Sequence, residues 1–357
     1  MSLRLIATSL GLSVTTVSRA LAGYADVAEE TRRRVKAEAD RIGYAPNAIA
    51  RRLQKGRTDA VGIVAPTGVD AISDSYLYGS IVGAWSRLSE LDRDLVMLPS
   101  IGGGDPRGSA MRAFRRAIEE RRVDGVLLMR TRRDDWRIRH LREARLPFVV
   151  CGADHLDAPD IVAIGVDNRR GAEMVLSRLA GFGHRDVAIV APEGELEFAL
   201  ARTEIFREAA PSHGIVLQIE TDLFCEDGGR AATARLLARA DHPTAIVYFA
   251  NRMALGGLRA ISDSVLVPGR HVSVVSFGDN ANLLYATPPV TALWSPADAM
   301  ARHAVDVLIG EIEGRRVEPI RHWPLTLIRR QSDGPFIPRP RVDGWSTASP
   351  HLLASHR

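Results

Sequence analysis

Of the 357 residues only two are cysteine, Cys151 and Cys225, far apart in the chain. No secretory signal pattern precedes the first helical segment, so a reducing cytoplasmic location and buried thiols are expected rather than a disulfide. The ten histidines are scattered without the spacing of metal ligands, so no metal site is expected. Apolar runs are all too short to span a bilayer, which argues against a membrane protein. The one glycine cluster that follows a strand-like run, Gly102-Gly103-Gly104-Asp105, has no basic residue to meet a phosphate and reads as a flexible loop. Nothing marks a nucleophile elbow or an acid-base pair. No catalytic residues and no cofactor are therefore expected, and the chain reads as a binding protein rather than an enzyme.

What is present is concentrated at the N-terminus. Leu3, Ile6, Ala7 and Leu10 recur at i, i+3, i+4 and i+7, one face of a helix for which Ser2 is the candidate cap. Gly11 allows the tight turn that follows, and Ser13 is placed to cap a second helix over residues 14–21. There Val17, Ala20 and Leu21 would face the first helix while Val14, Thr15, Ser18 and Arg19 face outward. Such a face suits the DNA major groove. Arginine can pair two-pronged with guanine, threonine offers a hydroxyl and a methyl, valine can touch a thymine methyl, and serines can bond phosphates.

A third helix is predicted over residues 29–42, with Val35, Ala39 and Ile42 buried, Glu29 and Glu30 at its positive end and Gly43 as its stop. Ala28 stands where a capping serine would be worth about 1 kcal/mol. A basic segment follows, Ala45-Pro46-Asn47-Ala48-Ile49-Ala50-Arg51-Arg52-Leu53-Gln54-Lys55-Gly56-Arg57. Residues 1–60 hold eleven Lys and Arg against six Asp and Glu, whereas the whole chain is only +4, which leaves the remainder at −1. A basic module on a near-neutral body is the footprint of nucleic-acid binding.

In the body, Val61-Gly62-Ile63-Val64, Leu95-Val96-Met97-Leu98, Gly125-Val126-Leu127-Leu128-Met129, Phe148-Val149-Val150, Val187-Ala188-Ile189-Val190, Ala245-Ile246-Val247-Tyr248 and Val272-Ser273-Val274-Val275 read as buried parallel strands. Helical stretches at 77–91, 111–120 and 171–179 fit βαβ units, and the length predicts two subdomains. Residues 333–357, rich in Pro, Ser and His, read as a disordered tail.

The segments Leu12-Ser13-Val14-Thr15-Thr16-Val17-Ser18-Arg19-Ala20-Leu21, Gly43-Tyr44-Ala45-Pro46-Asn47 and Ala50-Arg51-Arg52-Leu53 resemble the LacI/GalR family of bacterial transcription regulators. The resemblance continues through Val166-Asp167-Asn168, Gly183-His184-Arg185, Met253-Ala254-Leu255-Gly256 and Arg329-Arg330-Gln331-Ser332. It implies an all-α helix-turn-helix headpiece with a hinge helix near 46–55, residues 1–57 in all. It also implies a two-lobed, periplasmic-binding-protein-like α/β core over 58–332, with the chain crossing between lobes near Asp160, Leu293 and Trp323. On this resemblance Val14, Thr15 and Arg19 read bases, and Ser13, Thr16 and Ser18 support them or contact phosphate. Asn47, Ala50 and Arg51 belong to the hinge, and Leu53 wedges into the minor groove.

An effector cleft between the lobes is implied as well, with Asp74, Tyr76, Phe198, Arg202, Asn251 and Asp279 as candidate contacts. Leu200, Ala250-Asn251 and Gly278-Asp279 depart from the residues common in sugar-responsive members, and Leu5 replaces the usual aspartate of the first helix. The expected protein is a cytoplasmic homodimeric repressor that binds a pseudo-palindromic operator and answers to a small molecule, with a carbohydrate or derivative as one candidate class. The alternatives are an enzyme, or a solute-binding module, carrying a DNA-binding headpiece.

Overall fold

The computed structural model describes residues 2–21, 23–44, 57–66, 74–100, 108–153 and 161–337. The hinge residues Asn47, Ala50, Arg51 and Leu53 and the segment 338–357 lie outside them.

Three helices, α1 (Leu3–Leu10), α2 (Val14–Leu21) and α3 (Glu29–Arg41), form the headpiece. Their apolar stripes meet in one small core of Ile6, Ala7, Val17, Ala20, Val27, Val35 and Ala39. Gly11 ends α1 in the left-handed region at φ 65°, as the turn requires. Ser13 Oγ accepts from the Thr16 amide at 3.0 Å and so caps α2. Ser2 is extended at the N-cap of α1, but its side chain makes no capping bond, contrary to expectation. Ala28 likewise supplies none to α3.

Among the described residues the core has two six-stranded sheets. The first lobe contains β1 (Ala60–Pro66), α4 (Ser75–Glu90), β2 (Asp94–Ser100), α5 (Ser109–Glu119), β3 (Gly125–Met129), α6 (Trp136–Glu143), β4 (Phe148–Cys151) and β5 (Ala163–Val166). The second contains α7 (Asn168–Gly181), β6 (Asp186–Pro192), α8 (Glu197–Ala209), β7 (Val216–Asp222), α9 (Glu226–Leu237), β8 (Ala245–Tyr248), α10 (Asn251–Ser262), β9 (Ser273–Phe277), α11 (Ala281–Leu284) and β10 (Thr291–Trp294). The chain then returns to the first lobe with α12 (Ala297–Glu313) and β11 (His322–Trp323), and ends in the second with β12 (Thr326–Ile328). Strand orders are β11-β5-β4-β3-β1-β2 and β12-β10-β9-β8-β6-β7. Among the named strands of the described residues, only the β10–β12 pair is antiparallel. No helix among the described residues is long and apolar enough to cross a membrane.

Side chains leave each strand on alternate faces, so each sheet serves two cores. Val61 and Ile63 of β1 join α4 and α12 on one face, while Ala60 and Val64 join Phe114, Ile118 and Leu141 of α5 and α6 on the other. In the second lobe Val187 and Ile189 of β6 meet α7 and α8, while Ala188 and Val190 meet α9 and α10. Crossings two and three fall at Ser295-Pro296 and Pro324-Leu325, close to the expected places. The first comes at Asp167 rather than near Asp160, because Ala163–Val166 pairs into the first sheet before the chain leaves. Asp167 itself is held at the boundary, its amide donating to Trp323 O at 2.8 Å.

Residues 333–337, expected as the start of a disordered tail, are instead packed against the second lobe. Asp333 is buried, its carboxylate ion-paired with Arg178 and bonded to the Thr291 hydroxyl. The Gly334 amide donates to Ser273 Oγ at 3.1 Å and the Phe336 amide to Phe182 O at 2.7 Å. Residues 333–337 thus complete the second lobe, and His184 Nε2 lies 3.0 Å from Gly334 O beneath them.

Two outcomes follow from this packing. A Cβ at Gly256 would lie 1.8 Å from Glu226 O, where α10 crosses α9 backbone to backbone. Gly256→Ala should therefore lower stability by about 1–3 kcal/mol or more, read as a lower urea midpoint at unchanged slope. Burial holds the His184 pKa below the ordinary imidazole value. The unfolded chain then binds the proton first, so this contribution is complete above the unfolded pKa of about 6.5 and is lost as pH falls below it. Unfolding free energy measured from pH 7.5 to 5 should fall less steeply in His184→Gln than in the parent.

Candidate functional site

Two surfaces carry the candidate residues. On α2, Val14, Thr15 and Arg19 are exposed, Thr16 and Ser18 half-buried, and Val17 and Ala20 buried. An 8-residue helix with this outward face leaves the expected base-reading groups on the surface. Ser13 Oγ and Thr16 Oγ1 are 2.8 Å apart, so these two hydroxyls brace the start of α2. Arg19 is held by Asp26 through an ion pair, with its guanidinium 4.9 Å from the Tyr24 ring centroid. Both partners are in the loop between α2 and α3 and hold the arginine against the headpiece.

The second surface is a cleft between the lobes, enclosing about 850 Å³ of space that is partly open to solvent. It lies at the carboxyl ends of the strands, where parallel sheets place their ligand sites. Five of the six candidate contacts line it: Asp74, Tyr76, Phe198, Arg202 and Asn251. Asp279 does not. Its two carboxylate oxygens accept from Arg330 at 2.7 and 2.6 Å, and that fork ties β9's outgoing loop to the segment after β12. Nothing local in the sequence announces that a residue 51 positions on will claim the carboxylate.

Asp74 and Arg202 are each fixed by more than one contact. Asp74 caps α4, one carboxylate oxygen accepting from the Tyr76 and Leu77 amides at 3.1 and 3.2 Å while the other pairs with Arg130. Arg202, on α8, donates from Nε to Asn168 Oδ1 at 2.8 Å and from Nη1 to Phe249 O at 3.2 Å. Its guanidinium lies 4.2 Å from the Phe277 centroid, a cation over an aromatic face. Asn251 Nδ2 donates across the cleft to Ser75 Oγ at 2.7 Å, and the Ser75 hydroxyl to Asp279 O at 3.3 Å.

Several lining residues escaped sequence reasoning, chiefly Arg130, Thr131, Gly152, Phe224 and Ser295. Four of these sit just past the carboxyl ends of β3, β4 and β10, and that position is the signal that could have found them. Arg130 is drawn toward a lower pKa by burial and by the like charges of Arg252 and Arg202. Cys151 is also in the lining, and burial pushes its thiol up to about 12, so it contributes an inert apolar surface. The cleft is thus mostly aromatic and aliphatic, with a few polar groups that converge from both lobes.

Residues 2–47 match the family described as bacterial regulatory proteins, lacI family, and residues 176–332 match a periplasmic binding protein-like domain. The chain is 36% identical over 251 residues to the HTH-type transcriptional regulator RafR of Escherichia coli, covering 69% of this chain and 72% of the relative. It belongs to the LacI family.

This LacI-family chain also superposes on the transcriptional regulator CelR in complex with cellobiose, with a TM-score of 0.71 and 28% identity over 93% of this chain and 99% of the other. A lac repressor dimer bound to operator and an anti-inducer shares the fold, with a TM-score of 0.81 and 23% identity over 94% and 99% of the two chains. The family's headpiece and two-lobed core are therefore both present, and the protein is a helix-turn-helix transcriptional regulator. In a LacI-family cleft Arg202 also has a structural duty. Arg202→Met should lower the unfolding free energy by about 1–3 kcal/mol, because it strips a buried donor from the Phe249 carbonyl. Denaturant titration of the variant without added ligand measures this directly.

Proposed function

We propose that the protein is a cytoplasmic repressor that binds a pseudo-palindromic operator as a homodimer and is controlled by a small molecule, a carbohydrate or its derivative, held between the lobes. The observation that carries the effector assignment is the composition of the cleft. Flat apolar faces from Phe198, Phe224 and Phe277 suit the C–H face of a sugar ring, while Asp74, Ser75, Tyr76, Arg202 and Asn251 offer donors and acceptors to its hydroxyls. The cellobiose held by the CelR neighbour supports the same class.

Dimerisation is supported by an apolar stripe. Tyr78, Val82 and Trp85 recur at i, i+4 and i+7 on α4 and are exposed, as is Met97 of β2. On this reading Val14, Thr15 and Arg19 contact bases, and Ser13, Thr16 and Ser18 contact phosphate or support the helix. Asn47, Ala50 and Arg51 form the hinge, and Leu53 enters the minor groove at the operator centre. A single 8-residue recognition helix reads too few bases for a unique site, and two-fold symmetry doubles the reading.

The test is operator selection from random duplexes followed by titration. A pseudo-palindrome bound by a dimer is expected. Arg19→Ala should lose about 1–3 kcal/mol of binding and relax preference at one symmetric base pair. Full affinity of a monomer for a half-site would overturn the reading, and a uniform loss over all sequences would move Arg19 to the phosphate contacts.

A further inference from the structure

One group of the contacts between the lobes gathers around a single side chain. Arg130 leaves the end of β3 in the first lobe and reaches the second lobe. Its guanidinium centre lies 4.2 Å from the Phe224 centroid and 5.5 Å from that of Phe198, two rings that are themselves 6.1 Å apart. On its own side it is ion-paired with Asp74, which is fixed in turn as the N-cap of α4. The Arg130 backbone has φ 54°, a left-handed conformation that a residue with a Cβ holds only against a steric penalty.

The next residues continue the junction. The amide of Glu197 donates to Thr131 O at 2.9 Å, and that of Arg133 to Glu195 O at 3.0 Å. Glu197 is the first residue of α8, and first-turn amides have no acceptor within their own helix. Leu196 stands at the N-cap and brings no side-chain acceptor. A carbonyl of the first lobe thus caps a helix of the second, directly beside the arginine.

We propose that Arg130 is a clasp: seated against Phe198 and Phe224 and anchored by Asp74, it holds the lobes closed through the protein's own contacts, so that an effector acts by engaging or displacing this side chain. The inference deepens the reading of the cleft as the effector site and concerns how that site is regulated. A guanidinium in such a seat is weakly hydrated and stacks on aromatic faces, which a flexible ammonium does less well. The clasp also borders the space a ligand would occupy, since Asp74, Arg130, Phe198 and Phe224 all line the cleft. A ligand that offers hydroxyls to Asp74 or a ring face to Phe224 competes for the arginine's own partners. Only such a difference in interaction between the two lobe arrangements lets a ligand shift their balance.

The test is residue-resolved amide exchange on the full chain with no sugar and no DNA added. The parent should protect the amides of Arg133 and Glu197. Phe224→Leu and Arg130→Met should each speed their exchange on the order of tenfold, the scale of a desolvated cation–π contact, while β3 and β8 amides keep the parental rate. Arg130→Lys should fall between. Exchange at 133 and 197 that is unchanged in both variants, or already unprotected in the parent, overturns the clasp. A rise spread equally through β3 and β8 in both variants also overturns it, because the residues then serve the fold and not the closure. Operator titration of the same variants, read separately, reports whether closure governs DNA binding. A clasp without any effect on operator affinity would fail the regulatory reading of the cleft and leave the closure itself intact.

Discussion

Everything in the core depends on the chain having to pass three times between two sheets, at Asp167, Ser295-Pro296 and Pro324-Leu325. The sequence-distant strand β11 pairs with β5 at the edge of the first sheet, and β12 closes the edge of the second. Leu325, between them, packs against the cores of both lobes. Neither lobe is therefore built from one continuous stretch of chain, and the cleft walls are tied at their base by backbone rather than by side chains alone. Side-chain contacts across the cleft then need only choose among the arrangements which those three connections permit.

The same geometry makes two helices into a frame between cleft and headpiece. α4 starts at the Asp74 cap and α12 starts just after Ser295, both of which line the cleft. The middle of α4 and the start of α12 pack so closely that a Cβ on Gly83 would lie 2.2 Å from Asp298 O. At the far end of α12, Ile312 O accepts from Arg57 at 3.0 Å and Glu313 pairs with Arg93 at 2.8 Å. Asp124 receives the Thr58 amide and hydroxyl and the Asp59 amide at 2.7–2.9 Å, so the entry to β1 is clamped where the headpiece connection arrives. The cleft and this clamp thus lie at opposite ends of one closely packed pair of helices.

Legibility in the sequence followed the strength of local physics. The headpiece was readable because a short amphipathic helix must show its buried stripe, and Val17, Ala20, Val35 and Ala39 do. Central strands such as Gly125–Met129 were readable because burial on both faces makes them uniformly apolar. The edge strand β2 was read, but other edges escaped: Val216–Asp222 alternates with Gln218 and Glu220, and His322–Trp323 is only two residues long. The cleft was legible where a matching motif named the loop, as at Phe198, Arg202 and Asn251. It was not legible at Arg130, whose left-handed backbone and aromatic seat come from separate parts of the fold. Asp279 was misplaced because Arg330, which takes its carboxylate, arrives from the other end of the lobe.

Residues 333–337, packed over His184 and bonded to Ser273 and Phe182, give the order of synthesis a meaning. A growing chain can complete the three-helix headpiece once the residues up to 44 are free, since Ile6 to Ala39 bury one another in a core of their own. The core must wait for the far strands and for the stretch that carries Asp333. During translation the protein is thus a DNA-reading module tethered to an unfinished sensor. Chains cut short before β12 would keep the first and lose the second.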